Sequence, residues 1–499
     1  MMLDELKKES NLTYTENGAV TNRSTFSNCL DFFAMIGGMR NASEERILRL
    51  FTLAYIENRD IAMKLLFYTR DIREGLGERN IFRIILGRLA FEHKDSIIKN
   101  MEHIAEYGRY DDLLVLLGTP CEKEMIEFIS KQLQADIEAM ENGQPVSLLG
   151  KWLPSVNASN KETIKQANII SHKLNMSKAE YRKTLSKLRS AIKIIENNLR
   201  ERNYTFDYSK IPSKALFRYR QAYIRNDNIR YRDFLDRADR GEVTLNTSVL
   251  APYEIIHPII KRLMGCYYGN INFECDDEEE RVLDSTWNAL EDFTNDTISL
   301  VVVDGSGSMY GFYGGNEMPI EVAVSLGIYF AERNKGEFHN HFITFSERPS
   351  LIEIKGDKIT DKVLYCCKYE EIADTNIQAV FELVLNTALK HNIPQEEMPS
   401  VIYIISDMEF NSCTKDASVS NFEYAKTLFE ENGYSLPQLV FWNVSSRREN
   451  VPVTMNEQGV ILVSGCSSRI FSMVKEKNYD PYSFMEEVIN NERYDCIKA

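Results

Sequence analysis

The sequence predicts a multidomain protein. An N-terminal all-α array of helical repeats, an α-solenoid, precedes an α/β doubly wound, Rossmann-like domain. Three observations carry this reading. The chain has 499 residues, more than one hydrophobic core usually serves. From about residue 24 to 265, apolar residues recur at three- and four-residue intervals. From 297 onward, short continuous apolar runs alternate with helical ones.

Residues 1–23 read as a polar N-terminal arm without the apolar core of a secretory leader. No apolar run approaches the roughly 20 residues that a spanning helix needs. The nine cysteines include no C-x-x-C pair, so reduced thiols, a cytoplasmic location and no membrane association are expected. The net charge of −15 is unevenly spread. Residues 1–265 hold 41 Lys and Arg against 35 Asp and Glu, and the excess lies in 151–240, with 21 against 9. A chain that is acidic in total and basic in one segment can bind nucleic acid there, though not over its whole surface.

Within 24–265, segments such as "EKEMIEFISKQLQADIEAM" and "KAEYRKTLSKLRSAIKIIENNLRER" have the length and period of packed helix pairs. Residues 266–296 contain "ECDDEEERVLDS" and read as a solvated acidic linker. The next unit, 297–475, offers the strands "TISLVVVD", "HNHFITFS", "SLIEI", "SVIYIISD", "QLVFWNV" and "GVILVSG". Helical runs separate them, so a mainly parallel sheet covered on both faces is expected, with ligands at the carboxyl ends of its strands. The tail, 476–499, reads as an amphipathic helix packing back onto the protein.

The first of these strands ends in "DGSGSM". Gly305 and Gly307 allow a tight turn on which Asp304, Ser306 and Ser308 can converge. Three oxygen donors, one of them charged, suit a hard cation such as Mg²⁺ or Mn²⁺. A second strand end supplies Asp407, and the segment "ADTNIQAVF" supplies Thr375 with Asp374 before it. The alternative is a Gly/Ser turn that only caps the next helix. A nucleophile elbow and a phosphate-binding P-loop both fail on spacing, since Met309 and an absent lysine break their patterns.

Asp304-x-Ser306-x-Ser308, Thr375 and Asp407, in this order, resemble the metal-ion-dependent adhesion site of von Willebrand factor A domains. The resemblance implies that the three hydroxyls touch the metal and the two carboxylates lie beside it. It also implies an open position filled by a partner's carboxylate or phosphate oxygen, with a protein offering a carboxylate as the expected partner. Asp374 departs from the pattern, where many A domains have Gly. "YTRDIREGLGER" (68–79) resembles the signature of TROVE domains, the HEAT-like helical ring of the Ro autoantigen. "GKWLPSVN", "KIPSKALFRYRQAY", "LAPYEII", "SDMEF" and "FWNV" resemble a branch of that family whose function is unknown.

The Ro resemblance implies a ribonucleoprotein scaffold, monomeric and non-catalytic, that binds structured or misfolded RNA. The candidate RNA-binding residues are Arg182, Lys183, Lys187 and Arg189 along one helix, Lys214, Arg218, Arg220 and Arg230 in the next basic stretch, and Arg70, Arg73 and Arg79 in the signature. Arginines interleaved with Tyr219, Tyr223 and Tyr231 suit phosphates and unpaired bases. A solvated helix face with core tyrosines would give the same pattern. Two further readings are a metal-dependent protein adaptor without RNA and a metal-dependent phosphoryl-transfer enzyme. The last lacks an identifiable general base or nucleophile beside the carboxylates. His339 and His341 are read as ordinary histidines of a strand.

Overall fold

The computed structural model describes residues 2, 6, 10–192, 194–269, 275–311, 317–345, 348–368, 375–411, 420–475 and 479–499. Asp374 and Lys193 lie outside the described residues.

Residues 28–269 are helical, from Asn28–Ile36 to Pro252–Gly269, with short connections. Side-chain caps start several of these helices: Ser27, Ser43, Asn58 and Asn160 each accept from a first-turn backbone N–H. The C-terminal part is a six-stranded sheet. Its strands are β3 (Ser299–Asp304), β4 (His341–Phe345), β5 (Leu351–Glu353), β6 (Val401–Ser406), β7 (Gln438–Asn443) and β8 (Val460–Ser464). The order is β5-β4-β3-β6-β7-β8, parallel except for the antiparallel edge strand β5. Each of the six strand-like runs in the sequence contains one of these strands.

β3 and β6 are buried along their whole length, so both faces are covered. Val301 and Val303 of β3 join one core with helix Pro319–Arg333, while Leu300 and Val302 join another with helices Ile377–His391 and Asn421–Glu431. The first core also contains the side chains of the N-terminal helices, so the helical run and the sheet are packed as one body.

The helical run begins and ends on the sheet unit. Helix Asn28–Ile36 packs on β8, and helix Pro252–Gly269 packs on Pro319–Arg333. At the first junction, Gly37 N donates to Ser464 Oγ and Ser464 Oγ donates to Phe33 O, at 3.0 and 2.9 Å. Gly37 is required there, because a Cβ would lie 2.5 Å from the backbone nitrogen of Gly465. The C-terminal helix Pro481–Ile489 packs on Asn28–Ile36, Arg59–Arg70 and β8.

Two regions differ from expectation. The arm carries a hairpin, β1 (Leu12–Tyr14) paired with β2 (Val20–Asn22), bridged onto the sheet unit through Gly18–Asn411 and Asn22–Val451. Within the acidic stretch, Asp277–Asn288 is a helix rather than a solvated linker. Asp276 caps it, four acidic residues occupy its first turn where the helix dipole favours them, and Trp287 is buried. It packs on the basic helix Arg220–Asp239: Glu279 pairs with Arg220 at 3.0 Å and Glu278 with Arg232, while Arg281 meets Asp236 of that helix and Glu279 also meets Arg262 of helix Pro252–Gly269.

Candidate functional site

Asp304, Ser306, Ser308 and Asp407 stand at the carboxyl edge of the sheet, and Thr375 is bonded to the segment that follows β6. Asp304 closes β3 and Asp407 follows β6, its neighbour. Asp304 is fully buried; Oδ1 accepts from the Ser306 N–H at 2.9 Å and Oδ2 from the Ser406 hydroxyl. Ser306 Oγ lies 3.0 Å from Ser308 Oγ. Burial, together with the charge of Asp407, pushes the Asp304 carboxyl up to about 7. Two carboxylates crowded at one edge with hydroxyls beside them form a donor set that a hard divalent cation fits.

Asp407 is held from the other side. Arg447 donates to its Oδ2 through Nη2 at 2.9 Å and Nε at 3.1 Å. The same guanidinium reaches Glu16 in the hairpin turn. Thr375 is buried, and its Oγ1 donates toward Glu409 O at 3.1 Å and Asn411 Oδ1 at 3.0 Å. Asn17 Nδ2 donates to Thr375 Oγ1 at 3.2 Å and to Glu409 O at 2.5 Å. The hairpin turn thus lies against the edge. Glu16, Asn17, Glu409 and Arg447 were missed in the sequence; only Glu409 sits within a motif singled out there, "SDMEF".

A second site lies between the helical run and the loop after β8. It is a cavity of about 1590 Å³, lined among the described residues by ten Lys and Arg against five Asp and Glu. Arg70, Arg73, Arg79, Lys214 and Arg218 line it. Arg70 is buried and committed to Asp112 at 2.9 Å, and Lys214 pairs with Glu254. Arg73, Arg79 and Arg218 are exposed and form no ion pair among the described residues. Aromatic rings stand beside two cations of the cavity. Arg109 lies 3.9 Å from the centroid of the Trp152 ring, and Arg218 is 5.7 Å from that of Tyr219.

The remaining candidates lie elsewhere. Arg182, Lys183, Lys187 and Arg189 share helix Lys178–Ile192. Arg189 donates to Gly150 O, Leu153 O and Ser155 Oγ, at 2.8, 2.8 and 2.6 Å, and so fastens that segment. Arg220 is tied to Glu279, and Arg230 to Asp227 at 3.2 Å and Phe206 O at 2.9 Å. Tyr223 and Tyr231 are core residues, packed with Tyr208 and Phe234. Tyr219 reaches the cavity.

Comparison with known proteins places these sites in a family. A model described as a domain of unknown function (DUF2828) matches residues 15–128 and 157–297, about half of the chain. The chain belongs to the DUF2828 family. A second domain of unknown function (DUF7788) matches residues 298–494, which contain the sheet and its carboxyl edge. Among relatives of this DUF2828 protein is the uncharacterized protein L728 of Acanthamoeba polyphaga mimivirus. It is 30% identical over 522 residues, covering 96% of this chain and 87% of that protein. Among solved structures, the Deinococcus radiodurans RO (RSR) protein aligns over 93% of this chain and 100% of its own. The identity is 12% and the TM-score 0.38. No helix among the described residues is long and apolar enough to cross a membrane.

Proposed function

We propose that this DUF2828 protein is a non-catalytic scaffold that holds a single-stranded segment of RNA in its basic cavity. The observation that carries the reading is the set of three exposed guanidiniums, Arg73, Arg79 and Arg218, which face one cavity without carboxylate partners among the described residues. Phosphates are the natural counter-ions for such a set, and Trp152 and Tyr219 offer faces on which unpaired bases stack. Arg73 and Arg79 also belong to the segment that resembles the Ro signature. The flanking basic helix is a weaker candidate, because Glu278 and Glu279 already neutralise Arg232 and Arg220. The single-stranded ends of structured or misfolded RNA are the expected cargo.

Fluorescence anisotropy with an unstructured RNA oligonucleotide tests this. Affinity should fall with added salt, and fall at least about tenfold in Arg73→Glu, Arg79→Glu and Arg218→Glu. Full binding by all three variants would remove the cavity from the reading. Absence of RNA binding at low salt would leave a metal-dependent protein adaptor.

At the sheet edge the reading is a Mg²⁺ or Mn²⁺ site. The Ser306, Ser308 and Thr375 hydroxyls would hold the ion, with Asp304 and Asp407 beside it. When bound, the ion supplies an electrophilic position for a partner's carboxylate. The protein's own residues hold the donors in place: Ser406 fixes Asp304, and Arg447 fixes Asp407. Electron paramagnetic resonance with Mn²⁺ should detect one bound ion that Asp304→Ala releases.

A further inference from the structure

Away from both sites, a smaller recess of about 290 Å³ opens between helix Lys178–Ile192 and the segments around 155 and 197. Arg182, Arg189, Arg200, Ser155, Ser186 and Ser190 are among its polar lining, and no Asp or Glu among the described residues lines it. Arg182, Ser186, Arg189 and Ser190 repeat at helical spacing and share one face of the helix. From this recess we infer a binding site for a phosphate group.

The argument is one of charge and hydrogen-bond capacity. Arg189 is partly buried, yet its three acceptors are the carbonyls of Gly150 and Leu153 and the hydroxyl of Ser155. All three are neutral. They fix the orientation of the guanidinium and, among the described residues, leave its charge without a counter-ion, a costly arrangement unless an anion lies close. Burial accordingly lowers the proton affinity of Arg189 below its ordinary value. Ser155, having accepted from Arg189, keeps its own proton to donate. Arg182 forms no ion pair among the described residues, and Arg200 meets Glu201 only at the exposed surface. The recess therefore offers several donors and a net positive charge, which a tetrahedral oxyanion satisfies better than a planar carboxylate.

The phosphate can come from a free phosphate or from an RNA backbone, and binding experiments separate the two. Equilibrium dialysis of the full chain against radiolabelled inorganic phosphate, at constant ionic strength, should show one saturable equivalent. Arg182→Gln and Arg200→Gln should each weaken it about tenfold. Arg218→Gln in the large cavity should leave it unchanged, so failure here and failure of the RNA reading are distinguishable. Displacement by an RNA oligonucleotide lacking a terminal phosphate would assign the backbone as source, and resistance to it would assign free phosphate. Non-saturable uptake, or undiminished binding by both glutamine variants, would overturn the proposal.

Discussion

The amide nitrogen of Asn17 lies 3.2 Å from the hydroxyl of Thr375, joining the N-terminal hairpin to the carboxyl edge of the sheet across 358 positions of sequence. The same amide also donates to Glu409 O. Asn17→Ala removes both bonds and leaves buried acceptors at the edge. The expected cost is about 1–3 kcal/mol, read from the urea midpoint. Hydrogen exchange should speed up at residues 12–22. An unchanged midpoint would mean that the hairpin's other bonds, such as those of Thr15, Glu16 and Thr21, hold it without Asn17.

Arg447 stands between two carboxylates, Asp407 and Glu16, and only Asp407 is buried. Arg447→Ala should therefore cost about 2–4 kcal/mol, most of it from leaving Asp407 unpaired. A divalent cation at the edge would replace part of the lost positive charge. Addition of Mg²⁺ should then raise the melting temperature of the variant more than that of the parent protein. Equal shifts would argue against a cation beside Asp407.

His257 and Glu321 form a partly buried pair at 2.8 Å. The hydrogen bond to Glu321 raises the His257 imidazole above its ordinary 6.5, with Glu317 adding to the effect and Lys261 opposing it. Burial raises the Glu321 carboxyl above 4.5. Both groups hold protons more tightly when folded, so both contributions weaken as pH rises. The histidine contribution is complete below 6.5 and is lost as pH climbs through the raised folded value. Urea midpoints between pH 5.5 and 8.5 should fall with pH, and His257→Gln should flatten the decline.

At the first junction between helices and sheet, Gly37 leaves no space for a side chain. Gly37→Ala should push the helix Asn28–Ile36 off β8 and destabilise the protein by about 1–3 kcal/mol or more. Thermal unfolding measures this. A melting temperature within a degree of the parent would show that the junction has room to shift.

The sheet and its edge were legible because β3, β6, β7 and β8 are built on continuous apolar runs that end at a polar residue. Asp304 and Asp407 occupy the ends of adjacent strands, so topology alone brought them together. The hairpin was not legible: "LTY" and "VTN" are too short and too polar to declare strands, and what holds them lies at Asn411 and Val451. The acidic helix was hidden for a different reason. "DDEEE" reads as solvated until Arg220, Arg232 and Arg262 are brought opposite it. Arg189 looked like one more member of a basic stripe, and only the position of the 150–155 segment shows it turned inward.

The hairpin also sets an order of events. Thr21 bonds to the carbonyl of Val451, which is synthesised 430 residues later. At ordinary rates of translation that interval is on the order of half a minute. For that time the hairpin exists without the surface that anchors it, while the helices behind it, built from local contacts, can already form. Strands of three residues with threonine and asparagine in them give a neighbouring nascent chain little edge to seize. The segment that leaves the ribosome early is thus among the last to dock, and its weak strand character protects it while it waits.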